Sequence, residues 1–212
     1  MAMSMNGRSQ RKEKEFQLRR CEILEQAEKI FSAKGFHETT MAEIADASGF
    51  SIGSLYHFFS GKEALYSFIV MEKVRLMYAE IADAANRHRA SRDKIRALVS
   101  SHFEYVENHM DFYRLLLGHE SVPRSEGLKK LQELILDEHH RHVGYVEELL
   151  QEGIRQHVLR TLDTKPLANA LMGIISYFKF AWIMNPSGSS LLEKVDDVLD
   201  VFLRGAARKA VL

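Results

Sequence analysis

The segment from Thr39 to Leu65, TTMAEIADASGFSIGSLYHFFSGKEAL, constrains the fold of this chain more than any other part of its sequence. Thr40 and Glu43 have the spacing of a capping box, which predicts the start of a short helix. Gly49 predicts a turn, because glycine tolerates the positive φ at which many helices end. Ser51 predicts the N-cap of a second short helix. Two short helices joined by such a turn are typical of a helix–turn–helix.

The second of these helices carries small and hydrogen-bonding residues on the face that packing leaves free, namely Ser51, Gly53, Ser54, Tyr56 and His57. Such a face fits the major groove of DNA, where Gly53 lets the backbone approach closely and Ser54 can reach a base edge. Tyr56 and His57 can bind phosphates, and the alternative is that both are half-buried packing residues. The face has no arginine or glutamine for a bidentate base contact, which favours indirect or apolar readout.

The longer segment GFHETTMAEIADASGFSIGSLYHFFSGKEAL resembles the DNA-binding signature of the TetR/AcrR family of bacterial transcriptional regulators. The match runs without a gap and lies in the first third of the chain. Its elements are Gly35-Phe36, Thr39-Thr40, Ile44-Ala45, Gly49, Gly53, Leu55-Tyr56-His57-Phe58, Lys62-Glu63 and Leu65. The resemblance implies an operator contact set of Thr39, Thr40, Ser51, Gly53, Ser54, Tyr56, His57 and Lys62. Thr39, Thr40 and Lys62 would lie at helix N-termini, where backbone N–H groups favour a phosphate.

Composition and periodicity predict an all-α fold for the whole chain. Of its 212 residues 46% are hydrophobic and 27% charged, which is ordinary for a globular protein, and only three are proline. No segment alternates apolar and polar residues as a strand would. The expected helices lie at about 12–34, at the two short helices, and at about 61–87, 91–108, 111–117, 125–156, 164–185 and 189–209. We expect an N-terminal three-helix bundle with the helix–turn–helix and a C-terminal helical domain.

The predicted domains are a DNA-binding domain at 1–60, a connector helix at about 61–87, and a ligand-binding and dimerisation domain at 88–212. The net charge is zero, with 29 basic and 29 acidic residues. The first twenty residues carry six basic and two acidic side chains, a net of +4, and could reach phosphates or a minor groove. The alternative is a solvated, disordered terminus. A single cysteine, Cys21, and the lack of a signal peptide predict a cytoplasmic protein.

The helix over 164–185 is apolar almost all round, which predicts burial on all sides. It contains Asn169, Ser176 and Lys179, which favour a buried helix over a membrane span. The helix over 189–209 also has a wide apolar stripe. Two copies of these helices would form an isologous four-helix homodimer interface, as the resemblance also implies. The alternative is a monomer with a large core.

Polar residues on inward-facing helix faces indicate a ligand site in the C-terminal domain. His102, Glu138 and His142 fall in register with apolar neighbours, so they either pair with one another, reach the surface, or anchor a ligand in an apolar pocket. The predicted ligand-binding set is His102, Phe103, Met110, Tyr113, Glu138, His142, Tyr177, Phe178 and Trp182. The resemblance implies a small-molecule effector whose binding weakens operator affinity, and the lining suggests a hydrophobic one.

No cofactor, metal site or catalytic residue is predicted. His139 and His140 project in different directions on one helix and no cysteine joins them. The sequence has no nucleophile elbow, phosphate loop or paired carboxylates, and Glu138–His142 is its single acid–base candidate. The leading hypothesis is a homodimeric repressor released from a palindromic operator by a small hydrophobic effector. The alternatives are an activator, an enzyme that uses the C-terminal pocket, and a helical interaction module.

Overall fold

The computed structural model describes residues 3–118, 125–185 and 188–206, and within these ranges it contains helices and no strand. A 3-10 helix, Leu191–Lys194, precedes the last α-helix. The α-helices are α1 (Met3–Glu38), α2 (Met41–Ala47), α3 (Ile52–Phe58), α4 (Lys62–Asn86), α5 (Ser91–Asn108), α6 (Met110–Gly118), α7 (Glu126–Arg155), α8 (Thr164–Met184) and α9 (Val195–Ala206). The prediction of an all-α fold is confirmed.

The predicted helix positions hold, with two differences at the ends of the chain. Helix α1 begins at Met3 rather than near Lys12, and its regular geometry is interrupted at Gly35, which has φ 79° and ψ 174°. The predicted last helix is divided into the 3-10 turn and α9. Its expected continuation past Ala206 lies outside the described residues.

The chain forms two compact units. The first comprises Met1–Glu72 and Asp111–Gln132, and the second comprises Lys73–Met110 and Glu133–Leu212. The sequence predicts that α6 and the start of α7 belong to the C-terminal domain, whereas their contacts group them with the N-terminal helices. The functional division at 1–60, 61–87 and 88–212 stays a prediction.

The core of the first unit is built where α1, α2 and α3 converge, as expected for the three-helix bundle. Ile23, Ala27, Ile44 and Leu55 have no exposed surface, and burial of each isoleucine or leucine side chain contributes about 1.5–3 kcal/mol. The buried Tyr66 hydroxyl donates a hydrogen bond to the Leu115 carbonyl at 3.0 Å. This bond fixes α6 to the first unit.

The second unit is centred on α5, which packs against α8, α9 and the 3-10 helix. Its core has apolar side chains from each of these elements, with Leu98, Leu171 and Val198 fully buried. The Glu107 carboxylate accepts hydrogen bonds from the Ser190 hydroxyl at 2.9 Å and from the Leu191 backbone N–H. Glu107 of α5 therefore holds the start of the 3-10 helix.

Helix α8 buries one face and exposes the other in the single chain. Leu171, Met172 and Ile175 are buried, whereas Tyr177 and Phe180 are 70% and 54% exposed. Among the residues described, α8 alone has the length and apolar composition to cross a membrane, with a mean hydropathy of 1.4. The core helices of soluble proteins pass the same test, so this property does not assign α8 to a bilayer.

Candidate nucleic-acid interface and ligand site

The helix–turn–helix has the capping that its sequence predicts. The Thr40 hydroxyl accepts a hydrogen bond from Glu43 N at 3.2 Å, and the Glu43 carboxylate accepts one from Thr40 N at 3.0 Å. Hydrogen bonds from Lys34 and from Thr40 lower the pKa of Glu43, which favours its ionised form. Gly49 has φ +73° at the turn, and the Ser51 hydroxyl caps α3 by accepting from Ser54 N at 3.1 Å.

Helix α3 presents the predicted contact residues on its outer side. Leu55 is fully buried and anchors the helix, while Ser51, Gly53 and His57 are exposed and Ser54 is half-buried. Tyr56 is 51% exposed, so its side chain does not belong to the core. Because polar side chains and a glycine share one accessible side of a capped helix, α3 has the surface required of a helix that enters a groove.

Neither steric crowding nor backbone conformation requires a glycine at position 53. A Cβ atom built there would meet no atom nearer than Ser51 Oγ at 4.0 Å, and the positive-φ residues of the described chain do not include Gly53. Glycine inside a helix lowers stability by about 0.5–1 kcal/mol relative to alanine. A glycine that the fold does not require fits a position where another molecule approaches the backbone closely.

Two predicted phosphate contacts have structural roles instead of free side chains. Thr39 is fully buried and its hydroxyl donates to the Gly35 carbonyl at 2.7 Å, so its side chain is occupied within the protein, and a phosphate contact at this helix N-terminus stays a prediction. The Lys62 ammonium donates to the carbonyls of Thr39 at 2.7 Å and His37 at 3.2 Å. It also lies 4.6 Å from the Phe36 ring centroid. A phosphate contact by Lys62 stays a prediction, and it would compete with these bonds.

Two of the predicted ligand residues form a buried pair in the second unit. The Nε2 atoms of His102 and His142 are 2.9 Å apart, so one ring donates and the other accepts. The Tyr78 ring stacks on His142 with centroids 4.2 Å apart, and the Tyr78 hydroxyl lies 3.3 Å from His139 Nδ1. His102 Nδ1 is buried and has no hydrogen-bond partner among the described residues.

Burial keeps the histidine pair neutral. It lowers the pKa of His102 well below the usual value and that of His142 to about 3, and in both cases the charge of Lys179 adds to the effect. Burial also lowers the pKa of Lys179 to about 8. The pair thus lies in an apolar, locally cationic environment.

Glu138 is paired with arginines and not with the histidines. It is 6% exposed, and its carboxylate binds Arg75 Nε at 2.7 Å and Arg141 Nη1 at 2.8 Å. Both arginine side chains are exposed. Glu138 therefore lies just below the surface, which is nearer to the predicted alternative of a surface position than to a pairing with the histidines. The Glu138–His142 acid–base candidate is therefore not a bonded pair.

The other predicted ligand residues do not all converge. Phe103 is buried with its ring centroid 6.2 Å from that of Phe178, and Trp182 Nε1 donates to the Ser189 carbonyl at 3.0 Å. Met110 is partly buried. Tyr177 is 70% exposed, so the prediction that it lines an interior pocket of one chain is wrong. Tyr113 is buried in the first unit, whereas the other eight residues belong to the second.

Across the residues that the structure describes, no group of three or more histidine, cysteine, aspartate or glutamate side chains could hold a metal ion.

The histidine pair makes stability depend on pH. The folded-state pKa of His142, about 3, lies below its ordinary 6.5, so the unfolded chain binds the proton first as the pH falls. The stability that neutral, buried His142 contributes is fully present above about pH 6.5 and is lost as the pH falls from there to 3. Between pH 7 and pH 5 we expect a loss of about 2 kcal/mol from His142 alone. Urea unfolding at both pH values and one protein concentration measures it.

The control for this prediction is a neighbouring histidine on the same helix. His142→Asn should make the loss between pH 7 and pH 5 smaller by about 2 kcal/mol, whereas His140→Asn, at an exposed position, should leave it unchanged. An equal pH dependence in the wild type and in His142→Asn would contradict the neutral buried pair.

Comparison with known proteins agrees with this geometry. Residues 23–67, which contain α2 and α3, match the family model described as bacterial regulatory proteins, tetR family. The chain is 32% identical over 104 residues to the HTH-type transcriptional activator FasR of Mycolicibacterium smegmatis, a match covering 49% of this chain and 48% of FasR. It is 32% identical over 91 residues to the HTH-type transcriptional repressor KstR2 of Mycobacterium tuberculosis, covering 43% and 46% of the two chains. The match thus spans about half the length of these two relatives.

A solved structure extends the likeness to most of the chain. The transcriptional regulator FadR from Bacillus subtilis, solved in complex with stearoyl-CoA, superposes with a TM-score of 0.73 at 20% identity, covering 87% of this chain and 98% of that one. At this identity the superposition establishes the fold. The helix–turn–helix segment at residues 23–67 is therefore identified as one of the tetR family of bacterial regulatory proteins, and most of the chain shares the fold of FadR.

Proposed function

We propose that this protein is a homodimeric, ligand-responsive transcriptional repressor in which α3 enters the major groove of a palindromic operator. The observation that carries the proposal is the accessible side of α3, where a glycine that the fold does not require lies among Ser51, Ser54 and Tyr56. The relatives FasR and KstR2 are named as transcriptional regulators and not as enzymes. We propose the same for this chain, acting in the cytoplasm.

The dimer is proposed to form through α8 and α9. On α8, Tyr177, Phe180 and Met184 are 70%, 54% and 58% exposed at the spacing of one helix face, and on α9 Val201 is 64% exposed. These helices pack against each other, so their exposed apolar side chains belong to one unit. Water contact with a surface of this kind is unfavourable, and a second copy of the same helices would cover it.

The effector is proposed to bind in the second unit beside the histidine pair. Phe103 and Phe178 supply apolar contact, and the buried Nδ1 of His102 has an unused hydrogen-bonding capacity. FadR of Bacillus subtilis was solved with stearoyl-CoA, so a long-chain acyl-CoA is the first candidate for a hydrophobic effector. Helix α4 contributes residues to both compact units, which makes it the proposed route from effector to operator.

The effector proposal is tested on the complex of the full chain with its operator duplex, measured by fluorescence anisotropy. Stearoyl-CoA is expected to release the DNA, while coenzyme A alone should not, because it lacks the apolar chain. Ligand control would be contradicted if neither compound released the DNA and a screen of other hydrophobic molecules also left the complex intact. A reporter gene downstream of the operator gives the sign of regulation, and lower expression with the protein present supports a repressor.

A further inference from the structure

The N-terminal part of α1 packs against the recognition helix of the first unit. The ring centroids of Phe16 and Phe58 are 4.6 Å apart, and the Phe16 and His57 rings are nearly perpendicular, with centroids 6.4 Å apart. Phe16 is half-buried by these contacts. Since the ring is held by α3 itself, the position of this part of α1 is tied to the helix that is proposed to read DNA.

A cleft of about 390 Å³ lies between the two helices. Its walls come from α1, from the turn and from α3, and its lining includes Arg19 and Glu15 on one side and Ser54 and His57 on the other. Ser54 and His57 belong to the proposed contact face of α3. An arginine of α1 therefore borders the same surface as the side chains that are proposed to meet the operator.

Arg19 and its neighbour Arg20 are held differently. The Arg20 guanidinium lies 4.0 Å from the Phe68 ring centroid and 5.6 Å from that of Phe59, so it packs on the protein. Arg19 forms an ion pair with Glu15 at 2.6 Å, and their side chains are 53% and 58% exposed. An exposed pair four residues apart on a helix is worth only about 0.3–0.5 kcal/mol. A phosphate can therefore replace Glu15 at little cost.

Helix α3 needs cations from elsewhere in the protein. Its sequence, IGSLYHF, has no lysine or arginine, whereas phosphate contacts by such residues supply a large share of the affinity of proteins for DNA. Arginine suits this role because its guanidinium binds a phosphate through two parallel hydrogen bonds.

We infer that α1 and α3 form one DNA-contacting surface, in which Arg19 binds a backbone phosphate beside the recognition helix and Phe16 fixes its position. In the free protein the Glu15 carboxylate is paired with the Arg19 guanidinium. It weakens DNA binding because its negative charge repels the phosphate. This inference rests on the proposed function and adds a second DNA-contacting element to it.

The test compares variants of the full chain on an operator duplex selected from genomic fragments. Arg19→Ala is expected to weaken binding at least about fivefold and to reduce the slope of log K against log salt by about one per protomer. Glu15→Gln is expected to tighten binding, because it removes a like charge and frees Arg19. In the Arg19→Ala background Glu15→Gln should have a smaller effect.

The matched control lies farther along the same helix. Lys29 and Glu25 form the same kind of exposed pair, at 2.8 Å with 60% and 64% exposure, so Lys29→Ala and Glu25→Gln should leave operator affinity unchanged. If the wild type shows sequence-selective binding while Arg19→Ala and Glu15→Gln behave like these controls, the inference is overturned and the proposed function stands. If the wild type shows no selective binding, the proposed function fails first.

The anchoring role of Phe16 has its own readout. Phe16→Ala should lower affinity and also shrink the effect of Arg19→Ala, because the guanidinium would no longer be held beside α3. The thermal unfolding midpoint of each variant separates this coupling from misfolding. An undiminished Arg19 effect in folded Phe16→Ala protein would overturn the anchoring role.

Discussion

Replacing Phe180 by glutamate is expected to convert a dimer into a monomer and to weaken operator binding by about 100-fold or more. Phe180 is 54% exposed and lies between Tyr177 and Met184 on the uncovered face of α8. A carboxylate there would be buried without a partner if two copies met, which costs several kcal/mol. Two linked recognition helices gain about 10²–10⁴ in affinity over one, and a monomer loses this gain.

Sedimentation equilibrium measures the change directly, since one chain has a mass of 24.4 kDa. Leu136→Glu is the matched control, because Leu136 is 52% exposed on α7, outside the proposed interface. The control should remain a dimer with wild-type affinity. A Phe180→Glu protein that is still dimeric and binds the operator as tightly as the control would contradict a dimer through α8.

Replacing Gly53 by alanine is expected to change stability and DNA affinity in opposite directions. The added methyl group meets no protein atom nearer than 4.0 Å, and alanine is favoured over glycine in helices, so the free energy of unfolding should rise by up to about 1 kcal/mol. The same methyl group would project from the side of α3 proposed to face the operator. Close packing against DNA leaves no room for it, and we expect affinity to fall by about tenfold or more, equivalent to about 1.4 kcal/mol.

Gly144→Ala provides the control for Gly53→Ala. Gly144 lies in α7 and a Cβ there would also meet nothing within 4 Å, so this variant should gain stability and keep its operator affinity. Chemical denaturation and anisotropy titration of the same preparations give both quantities. Unchanged affinity in Gly53→Ala would show that DNA does not approach this part of α3.

The local structure of the helix–turn–helix was predictable because its signals are local. Thr40 with Glu43, Gly49 and Ser51 each act within four residues of their own position, and all three predicted features are present. The bounds of α5 were likewise predictable, because its apolar residues recur at helical spacing and its ends are polar.

The roles of Thr39 and Lys62 were not predictable, because they depend on contacts between elements. Lys62 caps carbonyls of His37 and Thr39, which are 25 and 23 residues away in sequence. Thr39 is buried, and its hydroxyl donates a hydrogen bond to the Gly35 carbonyl near the end of α1. A position at a helix N-terminus does not say which neighbouring carbonyl is close enough to bind the side chain.

The position of Phe16 on the packed face of α1 was predictable from its spacing, although the sequence analysis did not include it. Phe16, Ile23 and Ala27 are spaced by seven and four residues, which places them on one helix face. Extending the predicted stripe of α1 backwards by two turns would have found this aromatic. The partner of its ring, Phe58 of α3, is a tertiary contact and was not accessible to the same argument.

Selection of bound duplexes from fragmented genomic DNA, followed by footprinting of the best sequence, tests the central claim most directly. A dimeric regulator that reads DNA through α3 should enrich a palindromic site, with half-sites about one helical turn or more apart and one dimer per site. Competition with unrelated duplex at about 0.15 M salt should leave the selected site at least about 1,000-fold preferred. Equal affinity for selected and unrelated duplexes under these conditions would contradict the account.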